Sequence, residues 1–353
     1  MKKCFAFFAI GIATCFAFSC NKMEEKTTAD NSQKTEASIV TRAFGDKNLL
    51  TAVYVETNDV NPLNAKDYYV EYNLENIPFF DILELFASNI HKEPYSSPVR
   101  PCLYLNDKLT NVLENGGATT YVRPLKNAGI KVLLTVLGDW QHIGVANMDD
   151  TQQHQFANIL AWAVEKYGLD GIGFDDEYAD YPYGSLVSGS FGNIITLLRG
   201  LIGTDKIITV FDWGNTHQIS AADAANVNYV YHGSFGQYYG LSNCNVAGTT
   251  AAKWFPYSLN LGQTYNSVTV QSNTARVLND GYAGVMMFNL RKRNDVDPLP
   301  VLQAIANGAG WGTVSCSNGN RDRDAVIDPD GFNLTNAAAK AGLSAAGKLY
   351  YNY

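Results

Sequence analysis

Residues 169–181, LDGIGFDDEYADY, begin as an apolar run and end around three consecutive acids, Asp175, Asp176 and Glu177. A strand alternates its faces, so Asp175 and Glu177 point to one side and Asp176 to the other. Two carboxyls two positions apart on one face each raise the other's pKa, leaving one protonated and one charged near neutral pH. That division suits acid catalysis. Acids after a strand also cap helices or hold a structural cation, and the spacing alone leaves both readings open.

The string Asp170-Gly171-Ile172-Gly173-Phe174-Asp175-Asp176-Glu177 resembles the signature DGxDxDxE of glycoside hydrolase family 18. Its continuation Glu177-Tyr178-Ala179-Asp180-Tyr181 resembles the bacterial endo-β-N-acetylglucosaminidases of the H and F types within that family. One position departs from the pattern: Gly173 stands where the family's chitinases carry an Asp. The resemblance implies that Glu177 is the general acid and then the base. It implies that Asp175 orients the substrate's 2-acetamido group and stabilises a positive oxazolinium intermediate. No metal or cofactor is implied. The implied reaction is retaining hydrolysis of the β-1,4 bond in the di-N-acetylchitobiose core of N-linked glycans. A chitinase acting on chitin oligomers, or a non-hydrolytic glycan binder on the same barrel, are the alternatives. In chitinases the Asp at the third position shares a proton with the middle Asp. With Gly173 in that place, Asp175 is expected to lack an inner partner and to stay ionised.

The elements that must position these groups follow from hydrophobic patterning. Strand-like runs fall at 50–57, 79–86, 131–137, 169–175, 206–211, 227–231, 254–258 and 284–288. Helix-like segments lie at 117–128, 151–167, 190–201, 272–280 and 298–306, with Thr151 as a candidate N-cap. Eight strands with interleaved helices predict an α/β fold, a (β/α)8 TIM barrel forming a single catalytic domain over 48–307; the pattern alone leaves a doubly wound open sheet as a rival.

A barrel's active site lies at the C-terminal ends of its strands. The residues just past them are Glu56, Asn58, Asp59 and Asn61; Asn89; Asp139, Trp140, Gln141 and His142; Asp175 and Glu177; Asp212 and Trp213; Tyr231 and His232; Asn260; and Asn289, Leu290 and Arg291. From these and Tyr178, the sugar-binding candidates are Glu56, Asn89, Trp140, Tyr178, Tyr231 and Asn289. Trp140 reads as a stacking platform or as rim packing. Tyr231 competes with Tyr229, Gln237, Tyr238 and Tyr239 for the acetamido oxygen, and also reads as a core tyrosine. Asp170 is expected to fix the strand entry, and the histidines show no metal-ligand spacing. The segments 54–64, 85–90, 136–138, 144–147 and 281–284 resemble the endoglycosidase branch as well, so the resemblance covers nearly the whole folded part. Where that branch usually carries Asn-His after its third strand, Asp139-Trp140 stands here, and the eighth strand lacks the Trp that chitinases place beneath the sugar.

The ends of the chain speak to location. Residues 1–19 read as an export signal, and Ala17-Phe18-Ser19-Cys20 resembles a lipobox with Cys20 lipidated. Residues 20–47 read as a disordered tether. The expected setting is a bacterial cell envelope, with membrane contact through a lipid anchor only, as a monomer. A formal charge of −8 and no basic run argue against a nucleic-acid partner. Cys102, Cys244 and Cys316 leave a disulfide open without selecting one. Residues 308–353, with Asp322, Asp324, Asp328 and Asp330 and a helix-like segment at 334–349, are expected as a C-terminal extension outside the barrel.

Overall fold

Of the 353 residues, the structure, a computed structural model, describes 44–58, 60–290, 296–319 and 348–350. The expected signal at 1–19, Cys20, most of the tether, Asp59, Arg291, the four C-terminal aspartates and the segment 334–347 lie outside the described residues.

The chain opens with β1 (Leu50–Glu56), followed by the hairpin β2 (Tyr68–Tyr72) and β3 (Glu75–Pro78). Strand β4 (Ile82–Lys92) folds back as β5 (Pro101–Leu105), and α1 (Asp107–Leu113) and α2 (Arg123–Asn127) follow. Next come β6 (Lys131–Leu137), α3 (Asp150–Tyr167), β7 (Gly171–Asp175), α4 (Ser190–Ile202), β8 (Ile207–Phe211), α5 (Ala221–Ala224) and β9 (Tyr229–Tyr231). The chain continues through β10 (Trp254–Phe255), β11 (Tyr257–Asn260), α6 (Ser267–Asn279), β12 (Gly284–Phe288), α7 (Leu299–Ala309), β13 (Val314–Cys316) and β14 (Lys348–Tyr350).

Nine segments pair in parallel in the order β10–β9–β8–β7–β6–β4–β1–β12–β11. Strands β10 and β11 are consecutive halves of one stave, parted at Pro256, which has no N–H to give a ladder. The first half pairs with β9 and the second with β12, which brings the sheet round into a nearly closed barrel. The open-sheet alternative is excluded.

Alternation along the staves separates two cores. Leu50, Ala52, Tyr54, Ile82, Leu133, Ile207, Phe211, Tyr231, Phe255 and Met286 pack together inside the ring. Their neighbours Val53, Val55, Leu83, Leu85, Leu134, Ile172, Val210 and Val285 face outward into the layer shared with the helices. Burying each such side chain contributes roughly 1.5–3 kcal/mol, so the period-2 pattern is what drives closure.

The structure differs from expectation where loops do structural work. The second stave starts at Ile82 rather than 79 and runs on to Lys92, because Phe79 and Phe80 leave the strand to pack on each other and on Trp311 and Tyr68. Among the described residues no α-helix follows β1 or β9 before the next stave. The expected helix at 117–128 begins as a π turn over Ala118–Val122 before α2. Helix α3 is capped by Asp149, not Thr151: Asp149 accepts from the Gln152 amide while the Gln152 side chain accepts from Asp149, a capping box. The side chain of Asn266 caps α6 and starts it earlier than 272. The expected boundary at 307 falls inside α7, and β13 and β14 of the expected extension pair with β2 and β5. At the other end the tether stops short of Lys47, which is buried against Asp81. Among the described residues no disulfide links Cys102, Cys244 and Cys316.

Candidate active site

Strand β7 carries the acids to the barrel mouth. Helix α3 ends at Gly168 in the left-handed region, φ 63°, and the chain turns directly into Leu169 and Asp170. Asp170 accepts from the Val132 amide at 3.0 Å and pairs with Lys126 at 3.2 Å, so it fixes the far end of the strand, as expected of it. Along β7, Ile172 and Phe174 belong to the outer core. Gly173 and Asp175 therefore share the inward face.

Asp176 turns the other way. It accepts from the backbone and side-chain N–H groups of Asn215, both at 2.8 Å, and from the Tyr181 hydroxyl at 2.5 Å. With Asp176 anchored there, Glu177 returns to the inward side. The Glu177 carbonyl accepts from the Gly138 amide at 3.0 Å, and the Tyr178 carbonyl from the Trp140 amide at 2.7 Å. The loops after β6 and β7 are thus stitched together beside the acids.

Asp175 and Glu177 open into one cavity of about 230 Å³. Glu56 is the third acid on its walls, with Tyr54, Phe86, Tyr178, Phe211, Phe235, Met286 and Phe288 as the apolar lining. Tyr54 packs edge-on against Phe86 and Phe211, at centroid distances of 5.7 and 6.3 Å. Phe235 packs edge-on against Phe288 at 5.1 Å. Two polar atoms in this lining, Oδ1 of Asp175 and the hydroxyl of Tyr54, are buried without a hydrogen-bond partner among the described residues. A buried group left in that condition costs about 1–3 kcal/mol, and such orphans mark functional surfaces.

Burial pushes Asp175 well above the usual carboxylate range, and the charges of Glu177, Asp176 and Glu84 push the same way. Burial also raises Glu177, which is half-buried at the rim. The spacing argument expected mutual repulsion as the cause; desolvation is the larger one. Glu177 in turn leads the causes that raise the hydroxyl of Tyr178.

Other candidates fall at varying distances from the cavity. Tyr178 is half-exposed on its wall, and Trp140, 62% exposed, lies 5.6 Å from the Tyr178 ring without lining the cavity itself. Tyr231 is a core residue: fully buried, 5.9 Å from Tyr54 and 4.8 Å from Phe255, it sits inside the ring and is not among the walls. Asn89 donates to the Gly138 carbonyl at 3.2 Å, and Asn289 donates to Asn260 Oδ1 at 3.0 Å; both brace loops at the mouth. Asp139, the departure after the third stave, is matched by His91 of β4 at 2.6 Å, whose ring stacks on Tyr104.

Sequence reasoning missed the aromatic lining and one acid. Glu84 of β4 is fully buried inside the barrel, where its Oε2 accepts from Thr135 at 3.0 Å and its Oε1 from Thr209 at 2.6 Å. It lies against Gly173. Asp175 therefore has a carboxyl neighbour below it after all, contributed by a different strand. The available signal was Glu84 itself, a charge at an inward position between Ile82 and Phe86 in the otherwise apolar first half of the strand. Phe235 gave no such signal, because a loop after β9 carries it to the cavity with φ 44°.

No family model matches the chain. It is 30% identical over 250 residues to an endo-β-N-acetylglucosaminidase of Flavobacterium sp. (strain SK1022), covering 69% of this chain and 76% of that protein. It is 27% identical over 266 residues to endo-β-N-acetylglucosaminidase F1 of Elizabethkingia meningoseptica, covering 72% and 76%. Among solved structures, EndoBT-3987 of Bacteroides thetaiotaomicron, determined with a Man5GlcNAc product, superposes with a TM-score of 0.60 at 24% identity. That match covers 77% of this chain and 63%, less than two thirds, of the other. The barrel, the signature on β7 and the identity over three quarters of a relative's length agree, and the chain belongs to the endo-β-N-acetylglucosaminidases of the H/F type in glycoside hydrolase family 18.

Proposed function

We propose that the protein is a retaining endo-β-N-acetylglucosaminidase that cleaves the β-1,4 bond within the di-N-acetylchitobiose core of N-linked glycans, using the substrate's own acetamido group. The observation that carries this reading is the pair Asp175 and Glu177 opening into one cavity at the barrel mouth. Glu177, whose proton burial helps retain, protonates the departing glycosidic oxygen. The acetamido carbonyl oxygen bonds to the anomeric carbon as the leaving sugar departs, and a positive oxazolinium results. Asp175 accepts from the acetamido N–H. As a carboxylate, Asp175 stabilises the cation that forms beside it. Glu177, now a carboxylate, takes a proton from water. The resulting oxygen attacks the anomeric carbon, breaks its bond to the acetamido oxygen and leaves the original configuration.

The role first considered for Tyr231 passes to Tyr54, supported by its unpartnered hydroxyl in the lining. The rings of Phe86, Phe211 and Phe288 offer apolar faces to the sugar, and Glu56 accepts from its hydroxyls. Chitin hydrolysis is less well supported, since β12 presents Met286 and Phe288 where a chitinase would carry a Trp. A pure binder would not need the two acids. We further propose that Cys20 carries a lipid that holds a monomer to a bacterial envelope, a reading supported by the sequence of residues 1–20 alone. Loss of labelled-palmitate incorporation in Cys20→Ser checks it.

Incubation of the purified protein with a high-mannose glycoprotein separates the readings. A mass loss leaving one GlcNAc on each Asn is expected. Activity confined to chitin oligomers would replace the glycan reading with the chitinase one, and retention without cleavage would reduce the protein to a lectin.

A further inference from the structure

We propose that Glu84 is a positioning residue of this reaction: its buried carboxylate, reaching across Gly173 from the neighbouring side of the barrel, is the electrostatic partner that governs Asp175 from below. This inference rests on the functional reading only for its effect on rate; the electrostatic relationship stands without it.

The geometry is specific. In the sheet register Gly173 lies between Thr135 and Thr209, the two residues whose hydroxyls hold the Glu84 oxygens at 3.0 and 2.6 Å. The carboxyl group is thereby fixed across the inward face of Gly173. The next inward position on that strand is Asp175, about 6.5–7 Å further along. A Cβ at Gly173 would come within 2.8 Å of Glu84 Cδ and 2.9 Å of Thr209 Oγ1. No residue but glycine fits while Glu84 is there. The glycine and the glutamate are two halves of one choice, in which the acid beneath Asp175 comes from β4 instead of β7.

The surroundings leave the charge of Glu84 unscreened. It is faced by Tyr54 from β1, Thr135 from β6, Gly173 and Asp175 from β7, Thr209 from β8 and Tyr231 from β9. Two hydroxyl donors satisfy it, and no ion pair to it is found among the described residues. Burial pushes its carboxyl up to about 7, with the two threonine hydrogen bonds opposing. An apolar residue of the same volume would fold at least as well at this place, because burying a carboxyl is costly. The acid is therefore explained by its neighbour. Glu84 and Asp175 titrate as a coupled pair, in which a charge on one disfavours a charge on the other. A negative charge on Asp175 is thus favoured when Glu84 is neutral and by a cation beside Asp175, the stage at which that charge is useful.

The test is the titration of Asp175 in Glu84→Gln, which keeps the shape and a hydrogen-bonding head and removes the charge. The Asp175 carboxyl carbon is followed by NMR, assigned by its loss in Asp175→Asn, and the pH profile of kcat/KM is measured alongside. The midpoint of Asp175 is expected to fall by up to about two units, the size of a unit charge about 7 Å away at an effective dielectric near 20. The acid limb of the profile moves to lower pH with it. The double variant Glu84→Val with Gly173→Asp removes the Glu84 carboxyl from that space, frees the Thr209 hydroxyl to rotate away from the new Cβ, and returns the carboxylate on β7; its midpoint is expected to move back toward the original. An Asp175 midpoint unmoved by Glu84→Gln would overturn the proposal, and so would a double variant that folds but keeps the Glu84→Gln midpoint. A midpoint that moves while no glycan is cleaved by the unaltered protein would uphold this inference and sink the functional reading instead.

Discussion

The amide of Gly138, directly after β6, donates to the carbonyl of Glu177 at 3.0 Å. This bond sets where the proposed acid stands relative to the cavity, and it exists because residue 138 has no side chain. A Cβ there would overlap the backbone of Ala179 and come within 2.5 Å of the Glu177 carbonyl oxygen. Gly138→Ala must therefore push the loop after β7 outward. A displacement of about 1 Å at a catalytic group can cost on the order of 10²-fold in rate. We expect Gly138→Ala to lower kcat by about that factor with a smaller change in KM, measured on a released-glycan assay.

Glu177→Gln isolates proton transfer. The amide fills the same space in the cavity wall but has no proton to give to a leaving oxygen. A positioned general acid contributes about 10²–10⁴-fold, so the rate falls by that amount while calorimetric binding of a product glycan and the melting temperature hold. A variant that kept full activity would remove Glu177 from the mechanism.

Asp175→Asn separates activity from stability. The carboxyl of Asp175 is raised by burial, so the folded state keeps a proton that the unfolded chain releases in the ordinary carboxylate range. Stability from this group is fully present below that range and is lost as pH rises toward the folded value. The Oδ1 atom has no partner to lose. Asp175→Asn is therefore expected to melt higher than the unaltered protein at pH 7, with the difference closing near pH 4, while hydrolysis collapses. Melting curves across that interval, with the two proteins crossing or the variant lower at pH 7, would contradict the burial argument.

The sequence made the barrel and its acids legible for different reasons. The staves at 131–137 and 284–288 have the same limits in the structure as in the apolar pattern, because a strand buried on both faces leaves no ambiguity of phase. The Asp175, Asp176 and Glu177 alternation follows from strand geometry alone. What escaped was set by contacts between distant segments. Tyr231 and Tyr54 are both tyrosines on inward faces, and only the closed ring shows Tyr54 on the cavity wall with Tyr231 packed away from it. The Gly173 departure looked like a missing acid, and its complement lay 89 residues earlier at Glu84, invisible until the ring brought β4 and β7 to opposite sides of β6.

At the base of the barrel, Lys47 and Asp81 form a buried ion pair, Nζ to Oδ2 2.9 Å, with the ammonium 4.7 Å from the centre of the Trp311 ring. Lys47 also donates to the Thr51 hydroxyl at 3.2 Å and to the Phe79 carbonyl at 2.5 Å. Burial lowers the Lys47 pKa and raises that of Asp81, and each charge offsets the other's penalty. Removing one partner leaves an uncompensated buried charge, which costs about 3–5 kcal/mol, while replacing both can be nearly neutral. Lys47→Met should therefore destabilise by about that amount at pH 7 in urea titrations, and Lys47→Met with Asp81→Asn by much less. The sign with pH follows from Asp81: alone, its folded pKa rises further, so the stability lost at neutral pH returns as the medium is acidified below the unfolded carboxylate range. A single variant as stable as the unaltered protein at pH 7 would mean that the folded domain begins after residue 47, as the composition of the tether first suggested.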